Sequence, residues 1–263
     1  MLKLFVTDLD GTFLETGTQI NPKDAEAVQQ LKKQGISFAI ATGRMDRDIV
    51  EVLKEIQVDG HRISQNGGFV YDTNGKQIHG ETFDFDLGRR IHKAISTHSS
   101  YYSVTTADEV YVPKKTEQMK EIEHLLYFPL LEDTSLASSY RENFSASKFS
   151  IHGDTEEIVA IMDQLATQFK TEAECYLSDK HCVDFVPKGI SKALGVQRLI
   201  VQLGLNTDEI AVIGDSFNDV PMLEMTPNSY AMADAHPDVQ KKANKVVGNV
   251  HEAIADLKAK GLM

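Results

Sequence analysis

The 263-residue chain is poor in cysteine, in positive charge and in long apolar runs. Two cysteines, Cys175 and Cys182, are too few for a disulfide framework. They flank a predicted hairpin around Ser178-Asp179-Lys180. A three-residue loop there sets Tyr176 opposite Cys182, so the two sulfurs point to opposite faces. Reduced packing residues in a cytoplasmic protein are expected. Lys and Arg number 27 against 39 Asp and Glu, a formal charge of −12. No net basic field is available to meet a nucleic-acid backbone, so no nucleic-acid partner is expected. Small anionic substrates answer to local charge and to metal, and they stay open. No apolar run approaches the ~18 residues that a membrane span needs, so no membrane partner is expected. The amino terminus enters a strand at once, without the pattern of a signal peptide. Internal repeats, low-complexity segments and clusters of His and Cys are all lacking.

What is present alternates strand and helix. Residues 1–7 are apolar enough for one buried strand and run into Asp8-Leu9-Asp10-Gly11-Thr12. Asn21-Pro22 reads as a helix cap with proline at the first helical position, and Gly35 closes that helix. Residues 36–41 form a second buried strand ending in Thr42-Gly43-Arg44, and a helix follows through Ile49, Val52, Leu53 and Ile56. Strand, helix, strand, helix implies a parallel sheet with right-handed crossovers. Ser64-Gln65-Asn66-Gly67-Gly68 closes a short strand, and Asn74-Gly75 signals a hairpin.

From about Asp84 the texture changes to α+β, with a hairpin near 102–112, helices near 119–126 and 154–169, and strands near 147–152 and 173–177. Asp154 with Glu157 resembles a capping box. The first texture returns near Pro187, with a helix over 191–203, a buried strand over 210–213 and the stretch Gly214-Asp215-Ser216-Phe217-Asn218-Asp219. The expected fold is α/β, a Rossmann-like parallel-sheet core over 1–83 and 186–263, with residues 84–185 inserted as an α+β cap.

Asp8 and Asp10 stand two apart at a strand end, so strand alternation places both on one side. Asp-Gly is also ordinary turn chemistry. A calcium loop fits poorly, because the twelfth position from Asp8 is Gln19 rather than a bidentate Glu. Parallel strands deliver their carboxyl ends to one edge, where Asp8, Asp10, Thr42, Lys188, Lys192, Asp215, Asn218 and Asp219 can converge. Three carboxylates (Asp8, Asp10 and Asp215) without His or Cys suit a hard cation, magnesium foremost. Thr42 and the amides around Gly43 at a helix start can seat an anion.

These four ordered motifs, Asp8-Leu9-Asp10-Gly11-Thr12, Thr42-Gly43-Arg44, Lys192 and the 214–219 stretch, resemble the haloacid dehalogenase superfamily, and most of all its Cof-type sugar-phosphatase-like branch with a large inserted cap. Asn66-Gly67-Gly68 resembles that branch's Asn-Gly-Ala segment. One departure is the lack of the usual glycine over residues 249–253. The resemblance implies that Asp8 is a nucleophile forming an aspartyl-phosphate, and that Asp10 protonates the leaving oxygen and later deprotonates water. It further implies that Mg2+ is held by the Asp8 carboxylate, the Asp10 backbone carbonyl and the Asp215 carboxylate. Thr42, Gly43, Arg44, Asn66, Lys192 and Asn218 are the implied contacts to phosphate or substrate, with Lys192 also neutralising Asp8. Thr12 and Asp219 are in support.

Arg44 is equally readable as a helix-start residue, Asp219 as a helix cap and Lys188 as a turn lysine. His92, His98, His152, His181, Tyr101, Tyr102 and Tyr111 read as surface or packing residues. The resemblance implies a magnesium-dependent phosphatase of small phosphate monoesters such as sugar phosphates, cytoplasmic, a monomer or weak homo-oligomer. A phosphomutase or phosphotransferase using the same aspartyl-phosphate is the alternative, as is a non-catalytic protein that senses phosphorylated metabolites.

Overall fold

The structure, a computed structural model, describes residues 1–98, 101–136, 140 and 144–263. Two units divide the chain, Met1–Gly80 with Ser191–Met263, and Glu81–Ile190. The expected limits were 83/84 and 185/186. The division falls elsewhere because the strand Gln77–Gly80 ends the first sheet and the strand Cys182–Pro187 continues within the second.

The first unit is built on an eight-stranded sheet. Its order is Lys245–Val247, Ser229–Met232, Ile210–Gly214, Leu4–Thr7, Ser37–Ala41, His61–Ser64, Phe69–Tyr71 and Gln77–Gly80. The first six run parallel, and the last two add an antiparallel edge through the Asn74-Gly75 hairpin. Leu4–Thr7 and Ile210–Gly214 are buried at every position, as strands covered on both faces must be. Helices Pro22–Lys33, Asp46–Glu55, Lys192–Leu203 and Val250–Ala259 complete the Rossmann-like α/β arrangement that the sequence predicts. Asn21 caps the first by accepting the Lys23 N–H at 3.0 Å.

One close approach positions the helix that carries Lys192. Gly67, at φ +93°, lies so near the Ser191 carbonyl that an added Cβ would sit 2.1 Å from its oxygen. Gly67 therefore lets the start of Lys192–Leu203 pack directly onto the turn after His61–Ser64. Ser191 caps that helix by accepting the Leu194 N–H at 3.1 Å.

The second unit holds a six-stranded sheet, ordered Leu131–Glu132, Val110–Val112, Tyr102–Thr105, Lys148–His152, Cys182–Pro187 and Ala173–Asp179. All pairings are antiparallel except that of Leu131–Glu132, a strand that the sequence pattern did not signal. One face is apolar. Tyr102, Val104, Phe149, Ile151, Val183 and Phe185 pack there with Ile91 and Ile95 of helix Phe85–His98 and Ile158 and Leu165 of helix Thr155–Gln168. Alternate positions carry Ser103, Lys148, Ser150, His152, Cys182 and Asp184.

Two local expectations are corrected. Asp154 sits at the start of helix Thr155–Gln168 but makes no side-chain capping bond. The 175–182 hairpin turns over two residues, because the Asp179 carboxylate accepts the His181 N–H and a bulge falls between Leu177 and Asp179. Cys182 thus pairs with Asp179, and Tyr176 with Asp184. The sulfurs still point apart: Cys175 packs on the apolar core, while Cys182 lies 3.7 Å from Asp184.

Replacing Gly67 by alanine combines a left-handed backbone with a steric collision. Gly67→Ala is expected to cost at least ~2 kcal/mol of unfolding free energy. Urea or thermal unfolding measures it, and a variant as stable as the parent would show that this contact does not hold the helix in place.

Candidate active site

The site forms where Leu4–Thr7 and Ile210–Gly214 end side by side. Asp8 continues the ladder past its strand, its N–H donating to the Ile213 carbonyl at 2.9 Å. The side chain is buried and lies 2.5 Å from Lys192 Nζ. Lys192 is only 2% exposed and also reaches Asp219 Oδ1 at 2.7 Å. Asp219, fully buried, accepts the N–H groups of Asp215 and Ser216 on Oδ2, at 3.0 and 2.9 Å. It occupies the start of the short helix Val220–Leu223 without capping it. Asp219 thereby fixes both the lysine and the loop that presents Asp215.

Asp215 is held on each oxygen. Thr12 donates to Oδ1 at 2.8 Å and Ser216 to Oδ2 at 2.9 Å. Ser216 received no role from the sequence; its place beside Asp215 in the motif was the only signal. Gly11, at φ +73°, brings the first loop against this carboxylate, since an added Cβ would lie 2.8 Å from Asp215 Oδ2.

The carboxylates of Asp8, Asp215 and Asp219 offer oxygens all within 4.8 Å of one another. One ammonium stands against three carboxylates. Burial and the Asp219 charge push the Asp8 carboxyl well above the ordinary range despite Lys192. Burial and Asp219 likewise raise Asp215 to about 6. Burial alone would lower the Lys192 ammonium, but Asp219 and Asp8 overcome it and hold its pKa above the usual lysine value, so it stays charged. The cluster is an all-oxygen set with excess negative charge, which fits a hard divalent cation. Asp219 accepts three N–H donors, from Lys192 and two amides, against one for Asp8 and two hydroxyl donors for Asp215. Asn218 Oδ1, buried and without a hydrogen-bond partner, is a further acceptor in the same loop.

Asp10 lies apart from the cluster. Its carboxylate does not join the cluster but is exposed and bound by Arg44. Alternation fails because the strand ends at Thr7 and the Leu9 carbonyl gathers the N–H groups of Thr12, Phe13 and Leu14 into a tight turn. The carboxylates that meet are Asp8, Asp215 and Asp219; counting residue types alone gave Asp8, Asp10 and Asp215, whereas the resemblance gave Asp10 only its backbone carbonyl.

Thr42 is buried at the end of Ser37–Ala41, with half-buried Gly43 beside it, and its Oγ1 accepts the Arg44 N–H at 3.1 Å. Asn66, buried at φ +58°, turns its side-chain carbonyl to Asn218 Nδ2 at 3.0 Å. That bond ties two loops. Lys188 pairs with Glu174 at 2.9 Å, as a turn lysine does.

A family model described as haloacid dehalogenase-like hydrolase matches residues 5–257. The phosphatase YwpJ of Bacillus subtilis is 25% identical over 268 residues, covering 93% of this chain and 94% of that protein. The HMP-PP phosphatase of Serratia proteamaculans is 26% identical over 245 residues, covering 91% and 87%. A solved haloacid dehalogenase-like hydrolase from Bacillus subtilis superposes with a TM-score of 0.86 at 22% identity, covering 100% of both chains.

Removing the central lysine leaves buried carboxylates uncompensated. In chelator, Lys192→Met is expected to cost ~3–5 kcal/mol of unfolding free energy, and adding Asp219→Asn to recover part of it. A double-mutant cycle by urea unfolding measures the coupling; strictly additive losses would mean that the pair is not coupled.

Proposed function

The chain belongs to the haloacid dehalogenase-like hydrolases and is a phosphatase; on that premise we propose a Mg2+-dependent enzyme that hydrolyses small phosphate monoesters, sugar phosphates or similar metabolites, through an aspartyl-phosphate. The observation that carries this reading is the Asp8 carboxylate at a strand end, 2.5 Å from a buried, charged Lys192 and within 4.8 Å of Asp215.

In this reading Asp8 attacks phosphorus as the ester P–O bond breaks, and Asp10 gives its proton to the departing oxygen. Asp10 then takes a proton from water, which attacks the same phosphorus and releases phosphate and free Asp8. Lys192 and the Thr42 hydroxyl meet the charge on the phosphoryl oxygens. Asp8, Asp215 and the Asp10 backbone carbonyl would hold the Mg2+, which would supply Lewis-acid neutralisation of charge on the transferring group. Thr12 and Ser216 keep Asp215 aimed, and Asp219 keeps Lys192 aimed. Residues 81–190 serve as the cap that selects the leaving group, and the protein works in the cytoplasm. Among the described residues no helix is long and apolar enough to cross a membrane.

Asp8→Asn is expected to remove turnover of a generic aryl phosphate by more than 10⁴-fold while leaving the unfolding midpoint unchanged or higher, since a strained carboxylate becomes a neutral amide. Activity within tenfold of the parent, with normal unfolding, would remove Asp8 from the role of nucleophile.

Mg2+ is expected to raise the unfolding temperature, with ~2.7 kcal/mol of added stability at a hundredfold excess over Kd, and Asp215→Asn to abolish that rise. Calcium, with longer bonds and more ligands, is expected to inhibit. Full activity after exhaustive chelation would overturn the metal assignment.

A further inference from the structure

The guanidinium of Arg44 does not point at the carboxylate cluster. Its Nε lies 3.0 and 2.9 Å from Asp10 Oδ1 and Oδ2, and its Nη2 lies 2.5 Å from Oδ1. Nη2 also donates to the Gly17 carbonyl at 2.8 Å, in the hairpin formed by Leu14–Thr16 and Gln19–Ile20. The Arg44 N–H is fixed on Thr42 Oγ1. The two side chains are unequal in mobility: that of Arg44 is 7% exposed and that of Asp10 is 55% exposed. Arg44 is thus the fixed member, anchored in the wall of the site, and Asp10 is the member held.

We propose that Arg44 is a positioning residue, a fork that sets the rotamer of the Asp10 carboxyl for proton transfer. The proposal rests on the phosphatase reading above. Exposed ion pairs commonly contribute little, because two flexible side chains must be ordered. Here one partner is already buried and the contact is multidentate, the geometry in which arginine differs most from lysine. Oδ1 receives two of the three N–H contacts. Oδ2 receives one, from Nε at 2.9 Å, and is the less engaged oxygen. The same residue joins three parts of the site: its backbone braces the Thr42 hydroxyl, its side chain aims Asp10, and its second donor holds the hairpin at Gly17.

A substrate-binding Arg44 and an Asp10-positioning Arg44 differ in how loss depends on the leaving group. A dinitrophenolate departs without a proton, whereas an alkoxide does not. The value of kcat/KM reports steps only through formation of the aspartyl-phosphate, so it isolates the acid role of Asp10. The test uses the full chain with Mg2+ and a series of esters from dinitrophenyl to simple alkyl phosphate. Arg44→Ala and Arg44→Lys are expected to change kcat/KM by no more than about threefold on the dinitrophenyl ester. On the alkyl ester the expected loss is ~10²-fold, mostly in kcat, since one general-acid contribution is typically 10²–10⁴. In an Asp10→Asn background, Arg44→Ala is expected to cost nothing further.

Arg44→Lys, which keeps the charge and most of the stem, gives the reading if the alanine variant fails to fold. Equal losses across the series, additive with Asp10→Asn, would overturn the proposal in favour of direct phosphate binding. A loss confined to KM would overturn it in favour of leaving-group binding. A parent that hydrolyses no ester would instead overturn the phosphatase reading, and the proposal with it.

Discussion

One buried ammonium holds the site together. Lys192 is enclosed at the first position of its helix and bridges Asp8 to Asp219, residues brought from opposite ends of the chain. A lysine this deep is tolerated only when paired, and carboxylates this deep only when neutralised. Lys192 is therefore a condition for both carboxylates, and Asp219 alone keeps it paired if Asp8 is neutral. The condition extends to the backbone: Gly67 allows the helix of Lys192 to approach, and Asp219 gathers two amides of the Asp215 loop. What remains after pairing is an excess of negative charge on Asp8 and Asp215, which a divalent cation relieves.

Two aspartates two residues apart end in different surroundings. Asp8 is buried, with an ammonium on one side and carboxylates on the other, and Asp10 is exposed on a guanidinium. A nucleophile must approach phosphorus desolvated and close to positive charge, while an acid and base must exchange protons with water and with a leaving group. In the mechanism proposed above, these distinct environments would let two identical side chains take the two roles. The division depends on the turn at Leu9–Gly11, which abandons strand alternation directly after Asp8.

The second unit follows another logic. Its sheet is packed by helices on one face, and the other face carries Asp184 with Lys148 at 3.1 Å and Ser150 at 2.6 Å. Burial there drives the neighbouring His152 down to about 4, so it is neutral at physiological pH.

The sequence by itself determined the regular parts: the all-buried strands, the capped helices, the parallel order and the insertion. Periodicity of apolar residues reports which face is buried wherever the backbone is regular. Because parallel strands share a direction, the sequence also brought Asp8 and Asp215 to one sheet edge, though it put Lys188 there too, which pairs with Glu174. Tertiary structure alone decided the partners. The Asp10 carboxylate lies off the cluster because a turn with Gly11 at positive φ broke the two-residue period, and Asp219 is in it through Lys192 and the two amides of its own loop. Arg44 found Asp10, and Asn66 found Asn218, across 34 and 152 residues. The Cys175–Cys182 hairpin took a two-residue turn because the Asp179 side chain competed for its backbone. Such choices rest on which polar group lies nearest once the core has closed, and no local pattern of residues encodes a distance set by packing.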